Sequence, residues 1–178
     1  NPVNRCYLCK KYLFQNLLTF AAEKGIDTIM EGNNADDLLI YRPGTQAVKE
    51  LGVLSPLAEL GITKAQVREI AEDMGLSCAS RPSSPCLATR LPYGTPISFE
   101  LLARVDAGEQ WLKEQGFPIV RLRVHGDILR IEIEKERFSD FIAMADKITA
   151  KMKELGFVYI TLDAEGFRSG SMDVHIVK

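Results

Sequence analysis

No apolar run in the chain approaches the ~18 residues that cross a bilayer, and no charged-then-apolar secretory leader opens it. A membrane-bound protein is therefore not expected. Neither sign of charge dominates: the net charge is −2, which argues against non-specific binding to nucleic acid. Cysteine is sparse as well. Cys6, Cys9, Cys78 and Cys86 are the only four, too thinly spread over 178 residues for a secreted disulfide scaffold. Thiols kept for metal, sulfur or redox chemistry fit better, and the expected location is the cytoplasm. Internal repeats and low-complexity tracts are missing too. What remains is an ordinary globular composition, 46% hydrophobic and 26% charged, in a chain long enough for one or two small domains. It opens with Asn1-Pro2 rather than Met, which reads as a fragment.

Hydrophobic spacing organises the chain. Leu13, Leu17, Leu18, Ala21 and Ala22 recur at helical intervals between Tyr7 and Lys24, with Gly25 as a C-cap. Asp27–Met30 is a short β-type run that feeds the polar loop Glu31–Asp37, the arrangement in which open α/β sheets keep ligands. Leu54–Leu57 reads as a short edge strand, and Thr63 as the N-cap of a helix over Lys64–Met74. Between Ser77 and Pro96 lie Pro82, Pro85, Pro92 and Pro96, an irregular stretch of a length that usually links or functions. The domain boundary is placed at its end, between 95 and 96. Beyond it, Ser98 caps a helix to Gln115. Ile119–Val124 alternates with Val120, Leu122 and Val124 on one face and Arg121 and Arg123 on the other. A turn at His125-Gly126-Asp127, a strand over Ile128–Ile133, a helix over Phe138–Leu155 and a strand over Val158–Leu162 complete an α-β-β-α-β unit.

Several side chains carry chemical potential. Cys6-Tyr7-Leu8-Cys9 sets two thiols close enough to grip one metal or cluster, and serves equally as a redox pair or structural zinc site. Cys86 sits in a proline-rich loop near Arg90, and a cation lowers a thiol pKa. Three thiolates hold a [4Fe–4S] cluster and leave one iron open. With Cys78 as a fourth, a closed zinc site results; otherwise Cys78 is a small hydrophobe after a helix stop. Arg121 and Arg123, roughly 7 Å apart along a strand, suit a phosphate or a dicarboxylate. The competing reading is a solvated strand face paired with Glu132 and Glu134. Asp36 and Asp37 suit Mg²⁺ or a ribose. Glu109 and Asp140 are single helix carboxylates, and His125 and His175 read as turn and tail residues.

In combination these pieces have a known likeness. Asn1-Pro2-x-x-Arg5-Cys6-Tyr7-x-Cys9-Lys10, Glu31-Gly32-Asn33-Asn34-x-Asp36-Asp37, Tyr41-Arg42-Pro43-Gly44, Pro85-Cys86-Leu87-Ala88-Thr89-Arg90-x-Pro92-Tyr93-Gly94 and Gly166-Phe167-Arg168-Ser169-Gly170-x-Met172-Asp173 occur in that order. The set resembles the LarE family across essentially the whole chain. The resemblance implies an α/β architecture: part of a PP-loop (HUP-like) parallel-sheet domain over 1–95, then a small substrate-binding and assembly domain over 96–178. It implies ATP-dependent sulfur transfer to an adenylated carboxylate of a pyridinium mononucleotide in nickel-pincer cofactor synthesis, with ATP and Mg²⁺.

Residue by residue, it implies catalytic Cys86, Glu109 and Asp140, substrate contacts at Arg121, Arg123 and Glu132, and nucleotide contacts at Asn34 and Asp37. Some members consume their own cysteine as the sulfur source; others resemble cluster enzymes. Here Cys6, Cys9 and Cys86 match the second group, so a [4Fe–4S] cluster is expected. The expected partners are a small nucleotide substrate, an unidentified sulfur donor and further copies of the chain, with no nucleic acid and no membrane. Another PP-loop adenylating ligase or amidotransferase subunit, and a zinc-stapled binding module, are the alternative readings. The Ser-Gly-Gly-x-Asp-Ser string that cradles pyrophosphate in PP-loop enzymes is nowhere in the chain. From that, the chain on its own is expected to be inactive toward ATP.

Overall fold

The computed structural model describes residues 1–40, 42–81 and 84–173; Tyr41, Pro82, Ser83 and His175, all named above, lie outside the described residues. The chain is α/β and divides into two compact units, residues 2–82 and Asn1 with residues 83–178. This division falls ahead of the 95/96 boundary because Arg90 and Leu91, 1% and 0% exposed, pack with the residues that follow them.

In the first unit, α1 (Arg5–Glu23) packs on α2 (Gly44–Glu50). Phe14, Val48 and Val53 form its small core. Of the residues at helical spacing, Ala21 is buried and Leu18 half-buried, whereas Leu13, Leu17 and Ala22 are exposed. The strands expected at Asp27–Met30 and Leu54–Leu57 reduce to one parallel bridge between Met30 and Leu54. Pro56 is the local cause: it opens α3 (Pro56–Glu59), a position where its missing N–H is no loss. Helix α4 (Lys64–Asp73) starts as expected. Thr63 Oγ1 accepts from the Gln66 amide (3.3 Å), and Gln66 Oε1 accepts from the Thr63 amide (2.9 Å).

In the second unit, α5 (Phe99–Glu114) is capped by Ser98, whose Oγ accepts from the Leu101 amide at 3.2 Å. Strands β1 (Val120–His125) and β2 (Ile128–Ile133) pair antiparallel, and β3 (Tyr159–Leu162) joins β2 in parallel, in the order β1-β2-β3. The helix expected over Phe138–Leu155 is divided at Met144 into α6 (Phe138–Ala143) and α7 (Ala145–Glu154). Met144 has φ −104° and ψ 9°, off the helical values.

One sheet face meets the helices. Val120, Leu122 and Val124 stand opposite Ile133, Ile131 and Leu129, all buried with Val105, Leu112, Ile148 and Met152. Each such side chain contributes about 1.5–3 kcal/mol by leaving water. Close approach of α5 depends on Gly108, where an added Cβ would lie 2.6 Å from Leu122 Cδ1 and 3.3 Å from Met152 Sδ. That approach delivers the next residue, Glu109, to the backbone of β1.

Candidate functional site

The opposite face of the same sheet carries charge. Arg121 faces Glu132 and Arg123 faces Arg130 in the β1–β2 register, so all four side chains share one face. That face is not solvated: Arg121 is 7% exposed, Arg123 5% and Glu132 0%. Glu132 Oε2 accepts from Arg123 Nε at 3.0 Å, while Oε1 accepts from Arg130 Nη2 (3.0 Å) and Ser171 Oγ (2.6 Å). The chain after β3 lies along the sheet. Phe167 donates its amide to the Ile133 carbonyl (2.7 Å), and its ring meets the Arg121 guanidinium at 5.3 Å. Gly166, at φ 71°, permits this approach, since a Cβ there would lie 3.0 Å from the Ile133 carbonyl oxygen.

Glu109 and Arg90 form a second buried cluster at the edge of β1. Arg90 Nε and Nη2 grip the two Glu109 oxygens at 2.7 and 2.8 Å, and Oε1 also accepts the Leu122 amide at 2.9 Å. The third arm, Nη1, donates to Thr89 Oγ1 (2.9 Å) and the Pro85 carbonyl (3.3 Å). Arg123 Nη1 donates to the Thr89 carbonyl at 3.0 Å. Cys86, exposed, precedes the 3-10 turn Leu87–Arg90, and its carbonyl accepts from Thr89 Oγ1 at 2.7 Å. Cys86, Thr89, Arg90, Glu109, Arg123, Arg130, Glu132 and Ser171 thus belong to one connected network, and Arg121 lies beside it, across the register from Glu132. Burial pushes the Arg121 guanidinium below its ordinary pKa; the Arg90 cation adds to this, Glu109 opposes it, Arg123 adds again and Glu132 opposes. A buried face with an excess of guanidinium charge is suited to an anion with several acceptor oxygens.

Asp140 is not part of this network. It is exposed in the first turn of α6 and pairs with Arg137 at 3.1 Å. In the other unit, Asn34 and Asp37 stand together in a capping box at the 3-10 turn Ala35–Leu38. Asn34 Oδ1 accepts from the Asp36 amide and Asp37 Oδ2 from the Asn34 amide, both at 3.1 Å. Asp37 Oδ1 also pairs with Arg42 at 3.0 Å, and Asp36 Oδ2 accepts the Lys64 amide at 2.8 Å. Cys6 and Cys9 are exposed on α1, and Cys78 is exposed after α4. Among the described residues no three His, Cys, Asp or Glu side chains gather as a metal-ligand group. Of the three cysteines expected to act together, Cys6 and Cys9 lie in the first unit and Cys86 in the second.

The residues that sequence reading left out are Thr89, Arg130, Phe167 and Ser171, with Arg90 seen only as a cation near a thiol. Register would have found Arg130, which lies across from Arg123 once the hairpin turn is set. Nothing local marks Ser171. In the first unit, Glu31 was read only as part of a loop. It binds Lys10 Nζ (3.0 Å), Ser55 Oγ (2.6 Å) and the Asn33 amide (3.2 Å).

No family model matches the chain. It is similar, however, to three curated proteins. An uncharacterized protein of Synechocystis is 41% identical over 180 residues, covering all of this chain and 67% of its own length. The pyridinium-3,5-bisthiocarboxylic acid mononucleotide synthase of Lactiplantibacillus plantarum is 38% identical over 178 residues, all of this chain and 64% of its own. An uncharacterized protein of Methanocaldococcus jannaschii is 33% identical over 169 residues, 95% of this chain and 66% of its own. The chain spans about two thirds of the length of these relatives.

Proposed function

This chain belongs to the LarE family, and from that membership we propose that it serves ATP-dependent sulfur transfer to a pyridinium mononucleotide in nickel-pincer cofactor synthesis. The observation that supports this most directly is the buried pair Arg121 and Arg123 on one face of β1. Two guanidinium forks there match the phosphate of a mononucleotide, and Glu132 fixes the orientation of Arg123. On this reading a substrate carboxylate oxygen attacks the α-phosphorus of ATP and pyrophosphate leaves. A sulfur nucleophile then attacks the activated carbonyl carbon, and AMP departs with the electrons of the broken C–O bond. Cys86 is the residue we assign to that attack from the second unit: its thiol gives its proton to solvent, and the sulfur stays with the substrate when loss of the Cys86 α-proton drives cleavage of the Cβ–Sγ bond and leaves dehydroalanine.

Glu109 acts by holding Arg90 and the Leu122 amide rather than by taking a proton, because both of its oxygens are engaged. Asp140 keeps its implied role only if substrate draws it from Arg137. Asn34 and Asp37 are assigned to the nucleotide. Asp37 already pairs with Arg42, so Mg²⁺ would have to displace that cation, and no step is derived through the metal. The chain has no Ser-Gly-Gly-x-Asp-Ser string, so pyrophosphate release by the chain alone is not part of the proposal.

An iron–sulfur cluster, in the family form that uses three thiols, would be held by Cys6, Cys9 and Cys86 and would supply a sulfide for transfer. No step is routed through it. Anaerobic reconstitution with iron and sulfide that leaves the protein colourless would remove the cluster and leave Cys86 as the carrier.

Titration of the chain with pyridinium-3,5-biscarboxylic acid mononucleotide, followed by calorimetry, tests the substrate assignment. Arg121→Ala and Arg123→Ala should each weaken binding by about 1.5–3 kcal/mol, the scale of a hydrogen bond to a charged group. Unchanged affinity in both variants would sink the assignment.

A further inference from the structure

The segment carrying Cys86 is fastened to the arginine strand by one closed ring of hydrogen bonds. Arg90 holds Glu109, Glu109 holds the Leu122 amide, Arg123 of the same strand holds the Thr89 carbonyl, and Thr89 Oγ1 accepts from Arg90. The Cys86 carbonyl hangs from this ring through Thr89 Oγ1 at 2.7 Å and the Thr89 amide at 3.0 Å. Every nitrogen of Arg90 is engaged and the residue is 1% exposed, so it is closed off from a substrate. The Cys86 thiol, by contrast, is exposed. Where it stands is governed by its backbone, and Arg90 grips that backbone directly at the Pro85 carbonyl and, through the Thr89 hydroxyl, at the Cys86 carbonyl.

We propose that Arg90 is a positioning residue that sets the Cys86 thiol beside the anion-binding face of β1, where it meets the reactive carbon of a phosphate-bearing electrophile. The inference rests on Arg121 and Arg123 being a phosphate site. Removing Arg90 then costs rate at Cys86 while leaving phosphate affinity almost untouched.

Bromoacetol phosphate, an alkylating agent that carries a phosphate, tests this on the chain as it stands. The Cys86 thiol gives its proton to solvent, a C–S bond forms at the brominated carbon, and bromide leaves with the electrons of the broken bond. Peptide-resolved mass spectrometry separates Cys86 from Cys6, Cys9 and Cys78. In the unaltered chain, Cys86 labelling should saturate with reagent, be blocked by inorganic phosphate and outrun the other three thiols. Arg90→Gln should lower the maximal rate about tenfold or more, the order expected for a reacting atom misplaced by about 1 Å. Its half-saturating concentration, and its Cys86 rate with neutral iodoacetamide, should stay within about twofold of the unaltered chain, the split that marks lost positioning rather than lost binding. Glu109→Gln keeps the Arg90 side chain but loosens its anchor and should give the same split, which covers the case in which the Arg90 variant does not fold. Equal maximal rates in the unaltered chain and the folded variants, or a parallel fall with iodoacetamide, would overturn the positioning role and leave the phosphate reading standing. Labelling of the unaltered chain that neither saturates nor responds to phosphate overturns that reading, and this inference with it.

Discussion

Arg123 on β1 and Arg130 on β2 stand directly opposite each other in the sheet, and the single carboxylate of Glu132 holds both, at 3.0 Å each. Like charges across a strand pair repel, so the carboxylate is what makes this register tolerable. Glu132→Ala should destabilise the chain by about 3–5 kcal/mol, because Arg123 loses its buried counter-charge and Arg130 is left with Asp163 alone at 3.5 Å. Urea denaturation measures the loss. A change below about 1 kcal/mol, the scale of a surface pair, would show that the arginines turn out to solvent instead.

Gly108→Ala tests the contact that brings Glu109 to β1. The new methyl would meet Leu122 Cδ1 at 2.6 Å, forcing α5 outward at a cost of about 1–3 kcal/mol. The Leu122 amide, now held by Glu109, should exchange with deuterium faster in the variant. Unchanged exchange there would mean that Leu122 yields and the helix stays in place.

His125, at the end of β1, should titrate below its ordinary 6.5. Burial is the first cause and the nearby Arg130 cation the second, with Glu132 opposing and Arg123 adding. The sign for stability follows from the unfolded chain, which takes the proton first as pH falls below 6.5. Stability is therefore full above that value and falls with pH until the folded ring is protonated as well. Ring-proton NMR, assigned with His125→Gln, reads the midpoint; a value above 6.5 would contradict the placement.

On the first unit, Glu50 is held at about 2, chiefly by the Tyr7 hydroxyl at 2.7 Å, then by Lys11 and Gln46. Its pKa lies below the ordinary 4.5, so its contribution to docking α1 on α2 is present above 4.5 and is lost as pH falls toward 2. Tyr7→Phe should move the Glu50 midpoint, followed by carboxyl NMR, back toward 4.5. No movement would place the cause in Lys11 instead.

Much of the second unit was legible because its signals are local. Ser98 before an apolar period, glycines after helices and the alternation on either side of His125-Gly126-Asp127 each act within a few residues. The same alternation placed Arg121 and Arg123 on one face. It could not say that the face is buried, since that depends on Ser171 and Phe167, which come after β3 in the chain. Asp140 was carried over from likeness alone, and nothing in its own turn brings it to the arginines. Asp27–Met30 had the composition of a strand, but a strand needs neighbours. Among the described residues only Leu54 bridges to that run.

The tail after β3 supplies Ser171 to Glu132, lays Phe167 on Arg121, and brings Asp173 Oδ1 to the Tyr93 hydroxyl at 2.8 Å. Tyr93 and the Cys86 turn open this unit in the chain, whereas Ser171 and Asp173 come near its end. A nascent chain on the ribosome therefore exposes its arginines long before the residues that finish their surroundings have been made. Until the tail emerges and settles, Glu132 lacks the Ser171 hydroxyl and Arg121 lacks the Phe167 ring. The buried face of β1 and β2 is therefore finished only once residues 166–173 have been made and have settled on it.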